Sequence, residues 1–265
     1  MGKYQNINDI NDFIALGDKS FRAISHFPNS RFWDMLSGHK DLSRTFDYFL
    51  AVSSFKDVNS EKLLSSILMQ LSDKEVEFLC EALASNCTPL YFDLLCNIWE
   101  KYKIIDITIA EYLIAENPKK AANSFIKGLL NTKKPKFLEF NYNYGTKYSI
   151  MKLMLQCIIE NDESALLKVC KSGIKSSSSQ DLSTILDYIT EFEFLELTDD
   201  LLVLLKQKKY PFEIYHISKT LFSFQNSETN LKLVKILENK KNRWNSGKWA
   251  QSFTSLFKKN NVVVN

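Results

Sequence analysis

Turn-forming residues are scarce in this chain, which holds 7 glycines and 5 prolines among 265 residues. A β-sandwich or β-barrel needs turn residues roughly every 8–12 positions, and this chain cannot supply them. Hydrophobic residues make up 45% of the sequence and charged residues 25%, the balance of a folded globular protein rather than a disordered one. The sequence therefore predicts long helices joined by short polar connections.

Helix start signals and apolar stripes with helical spacing recur along the chain. Ser72 and Glu75 have the spacing of a capping box, while Asn117 and Thr198 are placed to cap the helices that follow them. The predicted helices cover residues 8–24, 30–37, 41–55, 60–71, 73–85, 89–103, 106–116, 118–131, 147–160, 162–172, 180–190, 198–208, 211–224, 228–239 and 247–258.

Residues 105–109, with the sequence IDITI, have a pattern that fits two structures. Apolar and polar residues alternate there as in a half-buried strand. Residues 110–115 continue as a helix, and we assign the whole segment to that helix.

From residue 60 onward, predicted helices follow one another with connections of only a few residues. Short connections make neighbouring helices pack antiparallel. A helix pair with its loops takes roughly 30–36 residues, close to the rhythm of HEAT and TPR arrays, although the pairs show no residue-level similarity to one another. The predicted fold is all-α: a stack of antiparallel helices, either a HEAT/TPR-like α-solenoid or an irregular helical bundle.

A change in charge accompanies the best candidate boundary, the loop at residues 132–147. Residues 1–131 carry 14 Lys and Arg against 17 Asp and Glu, whereas residues 132–265 carry 20 against 14. We predict an N-terminal helical half at 1–131, a connecting loop at 132–147 and a C-terminal helical half at 148–265 with a basic tail, or one continuous domain. After Glu238 the chain has six basic residues and no acidic one.

Cysteine usage and the apolar runs predict a soluble, cytoplasmic protein. Five cysteines form an odd set without framework spacing, which indicates reduced thiols. Four of them, Cys80, Cys96, Cys157 and Cys170, lie at core positions of predicted helices, whereas Cys87 precedes a helix start. The longest aliphatic run, at residues 201–205, is far shorter than the roughly 20 residues that span a bilayer. No membrane partner is expected.

Motifs for catalysis or metal binding are not found in the sequence. The chain has three histidines, His26, His39 and His216. Neither His26 nor His39 has a carboxylate or cysteine at a ligand spacing, and there is no HExxH or GxSxG motif. We therefore predict no catalytic residue, no metal site and no cofactor. A helical fold can still assemble a site from distant residues, so an enzyme with an unrecognised site remains the third hypothesis.

Two segments are candidate partner-binding sites. The first is the aromatic-basic loop, where tyrosines beside lysines are typical of recognition surfaces, unless the rings only pin the loop to nearby helices. Its candidates are Lys133, Lys134, Lys136, Tyr142, Tyr144 and Tyr148.

The second segment is the basic tail, with Arg243, Trp244 and Lys248 as candidates. Its cations and indoles have the chemistry to contact phosphates and stack on bases, to bind an acidic protein, or to close the end of a helical stack. Trp249 begins an apolar stripe at helical spacing, which predicts a last helix docked with its lysines outward.

These features favour a non-enzymatic helical protein-binding module, either an adaptor or a partner-neutralising inhibitor of the antitoxin or immunity type. Stacked helices expose long surfaces for a protein partner while their core stays fixed. The alternative is a nucleic-acid-binding helical protein that uses the basic C-terminal half.

Overall fold

The computed structural model describes residues 46, 49–50, 52–131, 133–138, 150–176 and 179–262. This part of the chain contains thirteen α-helices and two three-residue strands, so the predicted all-α class is confirmed. In chain order the elements are α1 (Val58–Ile67), α2 (Asp73–Ser85), α3 (Phe92–Tyr102), β1 (Ile104–Asp106), α4 (Ile107–Glu116), α5 (Pro118–Leu130), β2 (Lys136–Leu138), α6 (Ile150–Asp162), α7 (Leu166–Ser176), α8 (Ser179–Glu191), α9 (Thr198–Gln207), α10 (Pro211–Ser223), α11 (Ser227–Asn239), α12 (Lys241–Trp244) and α13 (Gly247–Lys259).

Predicted helix starts agree with the structure where the capping chemistry is local. Ser72 and Glu75 form the predicted capping box, with the Ser72 amide donating to Glu75 Oε2 at 2.7 Å. The Lys120 amide donates to Asn117 Oδ1 at 3.0 Å at the start of α5. The prediction for Thr198 was wrong: it is the first residue of α9, and its hydroxyl donates to the Leu195 carbonyl at 2.6 Å. A one-turn 3₁₀ helix at Leu195–Leu197 directly precedes Thr198, so the chain is already helical before this residue.

The assignment of residues 105–109 to a helix was wrong for their first two positions. Lys103 ends α3 in the left-handed conformation (φ 57°), and Asp106 caps α4 by accepting from the Thr108 amide at 2.7 Å. The residues between these two ends are extended and pair in parallel with β2, with Ile105 opposite Phe137. Helices α4 and α5 form the crossover that connects the two parallel strands. The extended conformation of β1 therefore depends on pairing with β2, about 30 residues later in the chain.

Two compact units make up the described chain. The first contains the described residues among 1–128 and 135–150, and the second contains those among 129–134 and 151–265. In the first unit, α2, α3 and α4 all pack against β1. Its core includes Trp99 and Tyr91, whose side chains are completely buried.

The second unit packs its helices in an alternating pattern. Helix α7 contacts α8 and α9, α8 contacts α10, and α9 contacts α10 and α11. Contacts between every second helix are expected when helix pairs stack in two layers, here α7, α9 and α11 in one layer and α8 and α10 in the other. Helix α10 also contacts α12 and α13, so the C-terminal segment packs on this stack. The short helix α12 was not predicted.

Candidate partner-binding surface

Trp244, a predicted contact residue, is part of the hydrophobic core in this structure. Only 4% of the residue is exposed, and its ring lies 4.9 Å from that of Phe253 and 5.3 Å from that of Phe257 between centroids. Its indole N–H donates to the Leu237 carbonyl at 3.0 Å, in the last turn of α11. Because both the ring and its polar atom are satisfied internally, Trp244 docks α13 and has no exposed face for a partner.

Trp249, five residues later, lies at the edge of the same unit. Its half-buried ring contacts Phe212 at 6.1 Å and Tyr215 at 5.7 Å. Next to them, the imidazole of His216 lies 4.4 Å from the Phe212 ring. The exposed ammonium of Lys248 lies 5.6 Å from the centre of the Trp249 ring. The N-terminal turns of α10 and α13 therefore form a group of partly exposed rings bordered by a cation.

His216 contributes to this group as an aromatic ring rather than as a charge. Burial lowers the pKa of its imidazole, and the cation of Lys219 lowers it further, while Asp187 raises it. The net shift is downward, so the neutral form predominates near pH 7.

A cluster of cations lies where the α9–α10 connection meets the α11–α12 junction. The ammonium of Lys240 donates to the Lys208 carbonyl at 2.7 Å. Burial lowers the pKa of Lys240, and the nearby charges of Arg243 and Lys209 lower it further. Lys208 is neutralised by the buried carboxylate of Glu213, 2.7 Å away. The other three cations do not share in that ion pair.

Residues 208–212 connect this cluster to the ring group, because Tyr210 follows Lys209 directly and Phe212 comes two residues after Tyr210. Tyr210 is 71% exposed. Within the part of the chain that the structure describes, Lys209, Lys240, Arg243 and Lys248 form no ion pair. The basic-aromatic surface, as we name it, consists of Lys209, Tyr210, Phe212, Lys240, Arg243, Lys248 and Trp249.

Lys209, Tyr210 and Phe212 were not predicted as members of this surface. The sequence KKYPF at residues 208–212 repeats the basic and aromatic character of the tail, and this was the available signal. Lysines are also expected at the C-terminal end of a helix, because the helix dipole is negative there. This helix-stabilising role explained the two lysines, so no partner contact was predicted for them. The tertiary contact between Lys240 and Lys208 brings the two segments together.

The structure describes only part of the predicted aromatic-basic loop. Lys133 and Lys134 are exposed, and Lys136 forms an ion pair with Glu77. Phe137, also in this loop, stacks on Trp99 with 6.2 Å between ring centroids. The predicted contacts Tyr142, Tyr144 and Tyr148 lie outside the described residues, as do His26 and His39.

Glu77 makes the stability of the first unit depend on pH. Its side chain is 7% exposed and lies 2.9 Å from the ammonium of Lys74. Burial raises the pKa of Glu77, but hydrogen bonds and charge from Lys136 and Lys74 outweigh burial and hold it below the ordinary 4.5. A carboxyl with a lowered pKa stabilises the fold above the unfolded-state pKa, and this contribution is lost as the pH falls through the folded-state value.

Glu77→Gln is therefore expected to lower the free energy of unfolding by about 1–3 kcal/mol at pH 7. It should also remove part of the loss of stability that the parent chain shows below pH 4.5. Urea unfolding at pH 7 and pH 3.5 measures both effects. Glu228→Gln, which breaks the exposed pair with Lys232, is the control and should have little effect. Identical pH profiles for the parent chain and Glu77→Gln would contradict the prediction.

The thiols in the described residues are not activated as nucleophiles. Burial raises the pKa of Cys170 to about 12 and that of Cys157 to about 11. It also raises the pKa of the half-buried Cys87 to about 11, with Asp106 adding to the shift. The predicted core positions of Cys80, Cys96, Cys157 and Cys170 are confirmed, since all four are buried.

Metal-binding clusters and membrane-spanning helices are both absent from the described residues. No group of three or more His, Cys, Asp or Glu residues there is arranged to hold a metal ion. None of the helices described is both long and apolar enough to cross a bilayer. Comparison with models of known protein families, with curated proteins and with solved structures found no match to this chain.

Proposed function

We propose that this chain is a non-enzymatic helical protein-binding module that holds an acidic protein partner on the basic-aromatic surface. An adaptor or a partner-neutralising inhibitor of the antitoxin or immunity type would act in this way. The observation that carries the proposal is the combination of exposed, unpaired cations with partly exposed rings in the α9–α10 connection and the α12–α13 segment of the second unit.

Each half of that combination contributes to protein recognition in a different way. Aromatic and arginine side chains are enriched among the residues that contribute most binding energy, because they bury large areas in a defined geometry. Cations around them speed the encounter with an acidic partner and disfavour basic ones. The rings of Tyr210, Phe212 and Trp249 supply the first contribution, and the cations Lys209, Arg243 and Lys248 supply the second.

Nucleic acid is the second candidate partner, because Lys248 beside the ring of Trp249 pairs a phosphate contact with a stacking surface. The burial of Trp244 weighs against it. The sequence offered two indoles for stacking, and one of them is part of the core. A single partly exposed indole provides few stacking contacts for the bases of a single strand. The same indole is sufficient as an aromatic contact at the centre of a protein interface.

Affinity capture from a lysate of the encoding organism tests the proposal when it is done with charge-reversal variants. Arg243→Glu/Lys248→Glu alters the surface, and Lys258→Glu/Lys259→Glu makes the same change in net charge at the opposite end of α13. All four residues are exposed. We expect the parent chain and the control variant to retain one protein, and the surface variant to lose it by about tenfold or more.

Treatment of half of each sample with nuclease separates the two candidate partners. Retention of the same protein after nuclease supports protein binding. Release of all bound material by nuclease would instead favour nucleic acid. Equal loss in both double variants would show that net charge, rather than the basic-aromatic surface, controls retention, and would count against the proposal.

A further inference from the structure

Lys209, Lys240 and Arg243 come from two segments that are about 30 residues apart in the chain. The hydrogen bond from the Lys240 ammonium to the Lys208 carbonyl, at 2.7 Å, joins the α11–α12 junction to the end of α9. This contact fixes the position of one cation and leaves two of its N–H donors free. The guanidinium of Arg243 adds a planar set of donors that matches two oxygens at once.

The positive charges of Arg243 and Lys209 repel that of Lys240 in the free protein. Arg243 and Lys209 both lie close enough to Lys240 to lower its pKa, and the carboxylate of Glu213 is buried in an ion pair with Lys208. The carbonyl at the end of α9 offsets part of the repulsion, since the C-terminal end of a helix favours cations. A ligand that brings more than one negative charge to a single point relieves the rest.

Carboxylate and phosphoryl groups differ in how much of this repulsion they relieve. A carboxylate carries one charge on two oxygens, whereas a phosphorylated side chain carries about −1.5 to −2 on three oxygens at pH 7. A compact dianion can accept hydrogen bonds from lysine and arginine at the same time, and such charge-assisted bonds are the stronger kind. Arginine-containing clusters are a recurrent means of recognising phosphorylated segments.

We infer that the Lys209–Lys240–Arg243 cluster binds a phosphorylated residue of the protein partner. The inference rests on the proposed function and names a feature of the partner that the same surface recognises. Tyr210, which is 71% exposed beside Lys209, provides a ring on which the residues flanking the phosphorylated one can pack.

Two peptide libraries with random flanking residues test this inference. One holds a phosphoserine at its centre, and the other holds two adjacent aspartates there, so that the charge is nearly matched but spread over two residues. The immobilised parent chain should retain the phosphoserine library about tenfold more than the aspartate library. A single-stranded DNA oligonucleotide is the third probe, and it should be retained no better than the aspartate library.

Two double variants with the same loss of charge locate the site. Lys209→Ala/Arg243→Ala should abolish the preference for phosphoserine, and Lys258→Ala/Lys259→Ala should keep it. Lys240 is left unchanged because its hydrogen bond to Lys208 supports the local fold. Circular dichroism and thermal unfolding of both variants establish that each remains folded.

Each other outcome has a distinct meaning. Equal retention of the phosphoserine and aspartate libraries would overturn the inference and leave an acidic, unphosphorylated partner in place. A phosphoserine preference that survives Lys209→Ala/Arg243→Ala would overturn the assignment to this cluster. Stronger retention of the oligonucleotide would overturn the inference in favour of nucleic acid. No retention of either peptide library would overturn the inference and count against the proposed function as well.

Discussion

Replacing Trp244 with alanine is expected to lower the free energy of unfolding of the second unit by about 3–5 kcal/mol. The ring is 96% buried, since only 4% of the residue is exposed, and it lies between Phe253 and Phe257 of α13. Truncation removes these contacts, leaves a cavity and deprives the Leu237 carbonyl of its hydrogen bond from the indole. Because the same ring connects α11 to α13, the loss should fall mainly on the docking of α13.

Urea unfolding followed by circular dichroism measures the change in stability, and limited proteolysis locates it. We expect faster cleavage within residues 240–262, since a segment that undocks more often is cut more often. Trp249→Ala is the matched control: its ring is only half buried, so the substitution should cost less stability while weakening the binding of a partner. Equal destabilisation by the two substitutions would contradict the distinction between a core and a surface tryptophan.

Gly128→Val is expected to destabilise the first unit by about 3 kcal/mol. Gly128 lies in α5 against the indole of Trp99, a fully buried side chain. A Cβ at this position would overlap Nε1 and Cε2 of that ring and lie 2.8 Å from Cδ1. The ring belongs to a packed core and also stacks on Phe137, so it cannot move aside without disturbing β2.

The smaller substitution Gly128→Ala should also destabilise the unit, although alanine favours a helix over glycine by about 1 kcal/mol. Asn123→Val is the control on the same helix: this position is exposed, so only helix propensity changes. Combining Gly128→Ala with Trp99→Phe should cost less than the sum of the single substitutions, because the smaller ring relieves the overlap. Additive costs, or a Gly128→Val variant as stable as Asn123→Val, would show that the close approach does not control stability.

The sequence alone determined the fold class and most of the helices. Scarce turn residues and apolar stripes are local properties of the chain, and a helix satisfies its backbone hydrogen bonds within its own segment. The bounds of α2 (Asp73–Ser85) agree with the prediction, and its capping box forms from residues three positions apart. Four cysteines were correctly placed in the core because each lies on an apolar helix face.

Features that depend on distant partners could not be predicted in this way. β1 is extended because it pairs with Lys136–Leu138, and the sequence of residues 104–106 does not indicate which segment it pairs with. Gly128 gives no local signal either, since its role depends on the ring of Trp99 from another helix.

The candidate surface shows the same division between local and tertiary information. The sequence identified a basic tail with two tryptophans five residues apart, gave Trp244 as a candidate partner contact and placed Trp249 at the start of the apolar stripe that docks the last helix. Tertiary packing placed Trp244 in the core, left Trp249 at the edge, and brought Lys209 and Tyr210 to the tail through the contact between Lys240 and Lys208. Local patterns fix which face of a helix is buried, whereas the neighbour that covers a side chain depends on how the helices pack.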